Sequence, residues 1–323
     1  MPELIPLVGG TRTYALDPRE RLPLPRGDFP EVIDSTMLAT FSACPEKFHL
    51  AYCLNRASPG KSVHLHAGAA FATGLEAARR AFFEQGLDSS SAIEQGIIAL
   101  WRAYGLEFED STKNGTQMAR ALVQYCDYWP FHLLPPLDLS GSPAIEFSFA
   151  LPIPINHPVT GNPLLLAGRF DMIGVSPDGG MFCVDEKTTS ASFSSTTSMR
   201  NWTRQFDLRG QFLCYNWAAR AYGHPTIGTI VRGVSIQKSE IAFAEAITYF
   251  AEWEIARWYD QTMRCVERMC DCWRTGTWEL SLGSACTQYN GCEFNRVCKT
   301  AYPARELESF VEKKWNPLER NEK

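Results

Sequence analysis

The sequence predicts an α/β protein, a mixed sheet with helical additions before it and a cysteine-rich segment after it. Three observations carry this prediction. Apolar residues recur every three to four positions in the first third of the chain, which is the period of a helix. The middle third alternates apolar and polar residues, which is the period of a strand. A long helical pattern then leads into a short polar stretch rich in cysteine. This order of elements is typical of a mixed sheet covered by helices.

The bulk composition is that of a globular protein. The 323 residues are 45% hydrophobic and 21% charged, so the chain can bury a full core. No apolar run approaches the roughly 18 residues of a membrane span, and we expect a soluble, cytoplasmic protein without a membrane partner. The net charge of −5 disfavours a protein that coats nucleic acid through a broad basic surface, but it is compatible with a carboxylate-rich metal site.

The chain divides into four predicted regions. Residues 1–30 contain six prolines and predict an extended lead-in. Residues 31–140 predict a helical region, with helical spacing at 35–54, 64–85, 89–104 and 112–128 and an interruption at Cys44-Pro45. Residues 141–250 predict the core, and residues 251–323 predict a long helix at 252–273 followed by the cysteine-rich segment.

Residues 141–250 predict a β-hairpin among the first strands of the sheet. Strand alternation begins at Pro143, and two further strands are predicted at 164–175 and 181–186. Residues 177–180, Pro-Asp-Gly-Gly, are a strong turn signal, so the last two strands should pair antiparallel. A helix at 205–222 and strands at 226–237 and 242–249 complete the predicted core.

Acidic residues and a lysine cluster on this hairpin. Asp171 lies on one predicted strand and Asp185 on its partner, so the hairpin brings two carboxylates together. Lys187 shares a face with Asp185 because strand side chains alternate, whereas Glu186 points to the other face and offers only its carbonyl. Two carboxylates and a cation suit metal-assisted phosphodiester hydrolysis. The alternative is a pair of solvated strand ends in which Lys187 neutralises one acid.

The motifs on the hairpin resemble those of a known family. Gly168-Arg-Phe-Asp171 followed by Val-Asp185-Glu-Lys187-Thr-Thr is similar to the signature of RecB-like PD-(D/E)XK nucleases, which include the CRISPR-associated adaptation exonuclease and its viral relatives. Gln211 and Tyr215, one helical turn apart, resemble a second family element. The resemblance implies a restriction-endonuclease-like core and a metal-dependent exonuclease acting on single-stranded DNA or DNA ends. The implied catalytic residues are Asp171, Asp185, Lys187, Gln211 and Tyr215.

The resemblance also implies a metal site for Mg²⁺ or Mn²⁺. Asp171, Asp185 and the carbonyl of Glu186 would hold the ion. The family usually places a histidine four residues after a helical glycine, but Ala72 stands at that position here. The candidates for a third side-chain ligand are Glu146, which is the first choice, Glu76, His64 and His66. For each candidate the alternative is an ordinary surface or packing residue.

Eleven cysteines, an odd number, make a disulfide framework an unlikely feature of a cytosolic chain. Cys286, Cys292 and Cys298 are each separated by five residues, and Cys44 precedes a proline near the other end. In iron–sulfur members of the family, one cysteine before the core and three after it hold a four-iron cluster, so the resemblance implies these four as ligands. Zinc and unliganded thiols are the alternatives. Cys53, Cys270 and Cys272 are substitute ligands, whereas Cys126, Cys183 and Cys214 are predicted to pack in the core.

Basic and aromatic residues precede Gln211. Trp202, Arg204 and Arg209 suit a nucleic-acid strand whose phosphates pair with arginine and whose bases stack on rings, although a partly packed helix entry would look the same. The predicted partner is DNA, with recombination or replication proteins and a homo-oligomer as further options. The rival functions are a catalytically decayed DNA-binding or assembly module and an endonuclease subunit of a larger complex.

Overall fold

The computed structural model of the protein describes residues 22–60, 62–106, 108, 111–287 and 291–319. Most of the predicted lead-in, residues 1–21, lies outside the described residues. The strands are β1 (Val32–Asp34), β2 (Arg56–Ala57), β3 (Ile145–Asn156), β4 (Pro163–Val175), β5 (Met181–Thr189), β6 (Gly228–Ile236), β7 (Ile241–Tyr249) and β8 (Val311–Glu312).

Helices precede, separate and follow these strands along the chain. They are α1 (Ser35–Ala43), α2 (Pro45–Phe48), α3 (Val63–Phe83), α4 (Ser89–Tyr104), α5 (Gly115–Tyr128), α6 (Thr196–Arg204), α7 (Gly210–Ala221), α8 (Glu252–Thr275), α9 (Ser284–Thr287), α10 (Asn295–Lys299) and α11 (Pro303–Leu307). A π-helical turn at His49–Cys53 and a 3-10 turn at Phe131–Leu133 complete the regular structure of the described residues. None of the helices in this part of the chain is long and apolar enough to cross a membrane.

Six of the described strands form one mixed sheet. Its order is β1-β4-β5-β6-β7, with β3 also paired to β4. Strand β4 runs antiparallel to β3 and β5 and parallel to β1, while β6 runs parallel to β5 and antiparallel to β7. The mixed α/β architecture predicted from the sequence is confirmed.

Strand β4 has an opening along one edge. Residues 165–167 pair with both β1 and β3, and Met172 pairs with both β3 and β5, so β1 and β5 share the edge opposite β3. Residues 168–170 pair with β3 but with neither β1 nor β5 in the recorded ladders, and Asp171 is in none of the three ladders. Asp171 therefore lies where β4 and β5 separate. It is next to Met172, which forms the last recorded pair of the ladder with Val184.

The predicted hairpin between β4 and β5 is present. The N–H of Ser176 donates to the carbonyl of Gly180 at 2.8 Å, and Gly179 adopts φ +86°, a left-handed conformation that favours glycine. This tight turn fixes the register of the two strands. It thereby sets Asp171 and Asp185 across from each other.

Helices cover both faces of the sheet. Phe71, Leu100 and Leu122 of α3, α4 and α5 share one buried cluster with Val234 of β6. Residues of α1, α7 and α8 share a second buried cluster with Val231 on the opposite face. All nine residues of β6 are buried, as expected for a strand covered on both sides.

The helix predicted at 205–222 differs from the structure. Helix α7 begins five residues later, at Gly210, and a separate helix, α6, precedes the stretch and begins inside the serine- and threonine-rich residues 188–198. Ser195 caps α6 by accepting from the N–H of Ser198 at 3.1 Å, and the ring of Trp202 packs where a side chain on Gly233 would otherwise lie. The Ser195 cap and the buried ring of Trp202 thus stabilise α6, a helix that the apolar periodicity did not predict.

The cysteine-rich segment packs against the π-helical region near the other end of the chain. Phe294, Val297 and Leu307 form a buried cluster with Leu50. Strand β8 pairs antiparallel with β2, and the N–H of Lys313 donates to the carbonyl of Asn55 at 2.7 Å. The segment is therefore held by contacts with residues 50–57, because it has too few apolar residues to form a core of its own.

Candidate active site

Asp185 lies at the centre of a polar group beside the sheet opening. Its side chain is 1% exposed, and the Nζ of Lys187 lies 2.8 Å from Oδ1 and 2.7 Å from Oδ2. Gln211 on α7 donates from Nε2 to Oδ1 at 3.2 Å and to the hydroxyl oxygen of Tyr215 at 2.9 Å. The structure thus brings together four residues that the sequence motifs singled out, from β5 and α7.

Asp171 completes the group from β4. Its Oδ2 accepts from the N–H of Glu186 at 2.8 Å, which ties the two strands together where their ladder ends. Burial and then the charge of Asp185 raise the pKa of Asp171 well above its ordinary value. Burial also raises the pKa of Asp185, and the ammonium of Lys187 opposes that rise. Ionising both acids is therefore costly unless further positive charge is present.

The two acids fit a divalent cation. The Oδ2 of Asp185 is buried, and within the described residues it receives no hydrogen bond of good geometry, although Lys187 is close. A buried carboxylate oxygen with spare acceptor capacity beside a second, partly buried carboxylate is a suitable oxygen donor set for Mg²⁺ or Mn²⁺. The main-chain carbonyl of Glu186, between Asp185 and Lys187 in sequence, is the third donor expected from the motif.

Glu186 directs its carboxylate away from this group, as strand alternation predicts. Both of its oxygens bind the guanidinium of Arg79 on α3, and the hydroxyl of Tyr125 on α5 donates to Oε1 at 2.8 Å. Burial would raise the pKa of Glu186, but the charge of Arg79 overrides it and the pKa is lowered. Sequence reasoning missed Arg79 and Tyr125. A signal was present, because an arginine on the apolar stripe of a helix needs a buried acidic partner.

Glu146 lies across from Asp171. Ile145 and Phe147 pair with Met172 and Phe170, so the register places Glu146 opposite Asp171. Its φ is +50°, a left-handed value that a residue other than glycine rarely adopts. Its charge contributes to the raised pKa of Asp171, and the Nη1 of Arg169 lies 3.8 Å from its Oε2. Strained backbone of this kind clusters at functional sites.

A sequence profile of the PD-(D/E)XK nuclease superfamily matches residues 35–299, which is most of the chain. The chain belongs to this superfamily. The protein is a nuclease by family, and its mixed sheet with the parted hairpin is a PD-(D/E)XK nuclease fold. The resemblance inferred from Asp171, Asp185 and Lys187 is thereby confirmed at the level of the superfamily.

Solved structures are similar to this nuclease only at a distance. A protein from Eubacterium rectale described as a "Putative exonuclease" is 12% identical, with a TM-score of 0.45 over 81% of this chain and 90% of that one. The protein SSO0001 is 14% identical, with a TM-score of 0.25 over 60% of this chain and 74% of that one. No protein of curated function is significantly similar in sequence. The assignment to the superfamily therefore depends on the profile.

The other candidates for a metal ligand differ in their surroundings. Glu76 on α3 accepts from Nε of Arg80 at 2.9 Å, and the same arginine donates to the carbonyl of Ile145, beside Glu146. His66 is buried, with its Nε2 2.8 Å from the carbonyl oxygen of Tyr104, so it serves packing within the helical region. His64 on α3 is exposed.

The predicted cluster cysteines lie in two neighbouring parts of the nuclease. Cys44 is buried, with its Sγ 4.0 Å from the carbonyl oxygen of Glu279, and the Sγ of Cys286 lies 3.6 Å from the carbonyl oxygen of Ser281. Cys292 and Cys298 are partly exposed. In the described part of the chain, no three His, Cys, Asp or Glu side chains converge on one point, so the four thiols do not fit a cluster as they stand, and neither Glu146 nor Glu76 completes a three-carboxylate group with Asp171 and Asp185.

The other candidate cysteines are buried or partly exposed. Cys126, Cys183 and Cys214 are buried, which confirms their predicted place in the core. Burial raises the pKa of Cys126 to about 12, so its thiol stays protonated at neutral pH. The suggested substitute ligands Cys53 and Cys270 are also buried, and Cys272 is partly exposed.

The predicted DNA contacts separate into two kinds. Trp202 is 6% exposed and packs edge-on against Phe193 and Phe206, so its ring is not open to a base and the predicted stacking role is wrong for this conformation. Arg204 and Arg209 are exposed. Arg209 directly precedes α7, and its positive charge lowers the pKa of Asp185. Its guanidinium field therefore reaches the carboxylate group.

Proposed function

We propose that the protein is a metal-dependent exonuclease that hydrolyses phosphodiester bonds of DNA, acting on single strands or on ends. One observation carries the proposal. Two neighbouring carboxylates, the partly buried Asp171 and the buried Asp185, meet a lysine and a glutamine beside the opening of a PD-(D/E)XK sheet. Such a group has the charges that phosphodiester hydrolysis needs, in a site sheltered from water.

Asp171, Asp185 and the carbonyl of Glu186 would hold Mg²⁺ or Mn²⁺, with Glu146 as a further ligand. When bound, the ion supplies Lewis-acid polarisation of the phosphate and charge stabilisation of the leaving oxygen. The position of Glu146 supports its inclusion, because the strand register places it opposite Asp171 and its backbone has a positive φ. Glu76 is the alternative ligand in this proposal, since Arg80 links it to the start of the same strand.

The protein's own residues position the water and the phosphate. Lys187 spans both oxygens of Asp185, and a shift of its ammonium toward a bound phosphate would leave Asp185 to the cation while Lys187 orients the attacking water. Gln211 holds Asp185 and Tyr215 together and presents its amide to the phosphate or the water. Tyr215 keeps its proton, because burial raises the pKa of its hydroxyl, so it acts as a hydrogen-bond donor.

DNA as the substrate is supported by two exposed arginines near the acids. Arg209 precedes the helix that carries Gln211, and Arg204 ends α6 just before it. Each would neutralise a backbone phosphate in a protein whose net charge of −5 otherwise repels DNA. Recombination or replication proteins remain proposed partners.

A four-iron cluster held by Cys44, Cys286, Cys292 and Cys298 is a separate part of the proposal. Its support is the sequence resemblance together with the packing of the cysteine-rich segment near Cys44. Binding would require the thiols to converge further than in this structure, and the cluster would then fasten the segment to the helical region. Iron and sulfide analysis with an absorption spectrum of anaerobically purified protein tests it, and Cys298→Ser should lose both iron and colour.

The test of the function is cleavage of end-labelled single- and double-stranded DNA with Mn²⁺ or Mg²⁺. Wild-type protein should degrade DNA only with metal, and Lys187→Ala should lose activity by at least about 100-fold. Lys238→Ala, on an exposed turn far along the chain, is the matched control and should cleave like wild type. Circular dichroism of each variant shows that the fold is intact.

The same assay separates the rival functions. A circular single strand has no end, so cutting it would favour an endonuclease subunit over the proposed exonuclease. Metal-loaded protein that binds DNA and cuts no substrate would favour a decayed binding module, for which Ala72 at the family's histidine position is the supporting observation.

A further inference from the structure

A cleft lies beside the carboxylate group, between α1, the start of α7 and α8. It encloses about 400 Å³, which is within the size range of small-molecule sites. We call it the α1–α8 cleft. Its walls include Ser35, Ala39 and Ser42 of α1, Arg209 and Gln211 at α7, and Gln261 of α8.

Gln211 links the cleft to the site of the proposed reaction. This residue lines the cleft and donates from Nε2 to the Oδ1 of Asp185 at 3.2 Å. A molecule in the cleft would therefore contact the same side chain that touches the carboxylate group. A phosphodiester at Asp185 and the neighbouring part of its strand could both be held.

The charge of the cleft differs from that of the chain as a whole. None of its lining residues is an aspartate or a glutamate, and Arg209 is the lining side chain that carries a permanent positive charge. The protein as a whole has a net charge of −5. An acid-free wall with one guanidinium, next to two carboxylates, suits an anionic ligand that must approach those carboxylates.

The remaining walls offer hydrogen bonds and an aromatic edge. The hydroxyls of Ser35, Thr36 and Ser42 line one side, the amide of Gln261 lines another, and the ring of Trp258 lies between them. Neutral donors and acceptors of this kind match the polar edges of a base or the oxygens of a sugar. A mixture of one cation, several neutral polar groups and a ring is the chemistry of nucleotide recognition.

We propose that the α1–α8 cleft binds one nucleotide of a DNA strand, adjacent to the phosphodiester that is cleaved. The inference rests on the nuclease function proposed above and adds where the substrate lies. Arg209 pairs with the phosphate of that nucleotide, and the polar wall of α1 and α8 contacts its base and sugar. Substrate affinity then depends on residues that take no part in the chemistry.

The test fills the cleft without touching the carboxylate group. Ala39 is exposed on α1 and lines the cleft, so Ala39→Trp places a ring in it. Ala256→Trp is the matched control, an equal change at an exposed position of α8 outside the cleft lining. Each protein is assayed on a labelled oligonucleotide and on methyl p-nitrophenyl phosphate, a diester with no nucleotide. Oligonucleotide binding is measured with Ca²⁺ by fluorescence anisotropy.

A nucleotide site in the cleft predicts that Ala39→Trp loses activity on the oligonucleotide but not on the small diester. Ala39→Trp should lower kcat/KM for the oligonucleotide by about tenfold or more, chiefly by raising KM, and leave the small diester within about twofold of wild type. Its Kd for the oligonucleotide should rise by a similar factor, while Ala256→Trp matches wild type in every assay. Arg209→Gln should weaken oligonucleotide binding and flatten its dependence on salt.

The other outcomes overturn the inference or the function separately. Unchanged oligonucleotide cleavage by Ala39→Trp, or an equal loss on both substrates, overturns the nucleotide site and leaves the nuclease function standing. If wild type binds DNA but cleaves nothing, the function fails and the Kd values alone judge the cleft, with equal values for Ala39→Trp and wild type overturning it. A wild type that neither binds nor cleaves DNA overturns both.

Discussion

At the scale of single residues, the carboxylate group costs stability when no metal is bound. Asp171 is partly buried beside the buried Asp185, and the pKa of each is raised, first of all by removal from water. Lys187 offsets this cost for Asp185, to which it is paired, more directly than for Asp171. A site built for a cation is expected to be strained without one, as is common where function and stability compete.

Asp171→Asn is therefore expected to stabilise the metal-free protein while abolishing cleavage. A raised pKa means that the folded state holds the proton more tightly than the unfolded state. The carboxylate thus lowers the free energy of unfolding as pH rises from its ordinary pKa through the raised value, and the loss is complete above it. Asparagine keeps an acceptor for the N–H of Glu186, so we expect a gain of about 1 kcal/mol at high pH.

Urea unfolding in EDTA, at about pH 4 and about pH 8, measures this effect across the window between the ordinary and the raised pKa. The gain should be present at the higher pH and absent at the lower one. Asp178→Asn is the control, because a hydrogen bond from Ser176 lowers the pKa of that exposed turn carboxylate. An equal gain in both variants would show that the effect is not due to the buried pair.

Glu146→Gln tests the third metal ligand. If Glu146 helps to hold the cation, the Mn²⁺ concentration for half-maximal cleavage should rise by about 10- to 100-fold, with activity restored at high metal. Glu76→Gln is the matched variant, because Glu76 is the other glutamate of the proposal. A rise with Glu76→Gln and none with Glu146→Gln would exchange their roles. Metal titration of cleavage rates measures both.

At the scale of elements, a buried ion pair holds β5 to α3. Arg79 and Glu186 have side-chain exposures of 5% and 4%, and Tyr125 of α5 bonds to both. Arg232 on β6 extends the network toward Glu245 of β7, with an Nε to Oε2 distance of 3.0 Å. The face of β5 opposite the carboxylate group is thus fixed by charge. We expect this to hold the backbone of Glu186 in place for its carbonyl to meet the cation.

Arg79→Leu should lower the free energy of unfolding by about 3–5 kcal/mol, because it leaves the Glu186 carboxylate buried without its cation. The double variant Arg79→Leu with Glu186→Leu should regain most of that loss, since it removes both charges and fills the space. Chemical denaturation of both, with Arg80→Leu on the partly exposed side of α3 as control, measures the effect. A double variant no more stable than Arg79→Leu would rule out the ion pair as the cause.

At the scale of the whole molecule, the cysteine-rich segment is joined to the helical region that precedes the core. Phe294 is 1% exposed and stacks on Phe310 at a ring separation of 5.1 Å, while Leu50 from the helical region completes the cluster. The N–H of Ser58 donates to the Oε2 of Glu293 at 3.0 Å nearby. The cysteine-rich segment thereby covers residues that precede the nuclease core in sequence.

Phe294→Ala should release this segment and leave the core folded. Losing a buried ring removes the main apolar contact of a stretch that has little else to bury. Limited proteolysis should then cut between residues 283 and 302 much faster than in wild type. Tyr302→Ala, an aromatic residue 60% exposed in the same segment, is the control and should leave the rate unchanged. Equal protection of Phe294→Ala and wild type would contradict the role of this cluster.

The sequence alone predicted much of the fold and the catalytic group. Period-two patterns and the Pro-Asp-Gly-Gly turn were enough for the β4–β5 hairpin, and alternation was enough to separate Glu186 from Asp185 and Lys187. These are local rules, in which a residue's place follows from its neighbours in the chain. The spacing of Gln211 and Tyr215 on one helical turn was readable for the same reason.

Only the tertiary structure decided the rest, because it depends on residues far apart in the chain. The three-residue strand β1 exists through its pairing with β4, and α6 depends on a ring buried against Gly233. The partners of Glu186, the place of Glu146 opposite Asp171 and the α1–α8 cleft each join segments about 25 to 230 residues apart, where no periodicity carries a signal. Local patterns fix which side chains share a face, whereas packing fixes what each face meets.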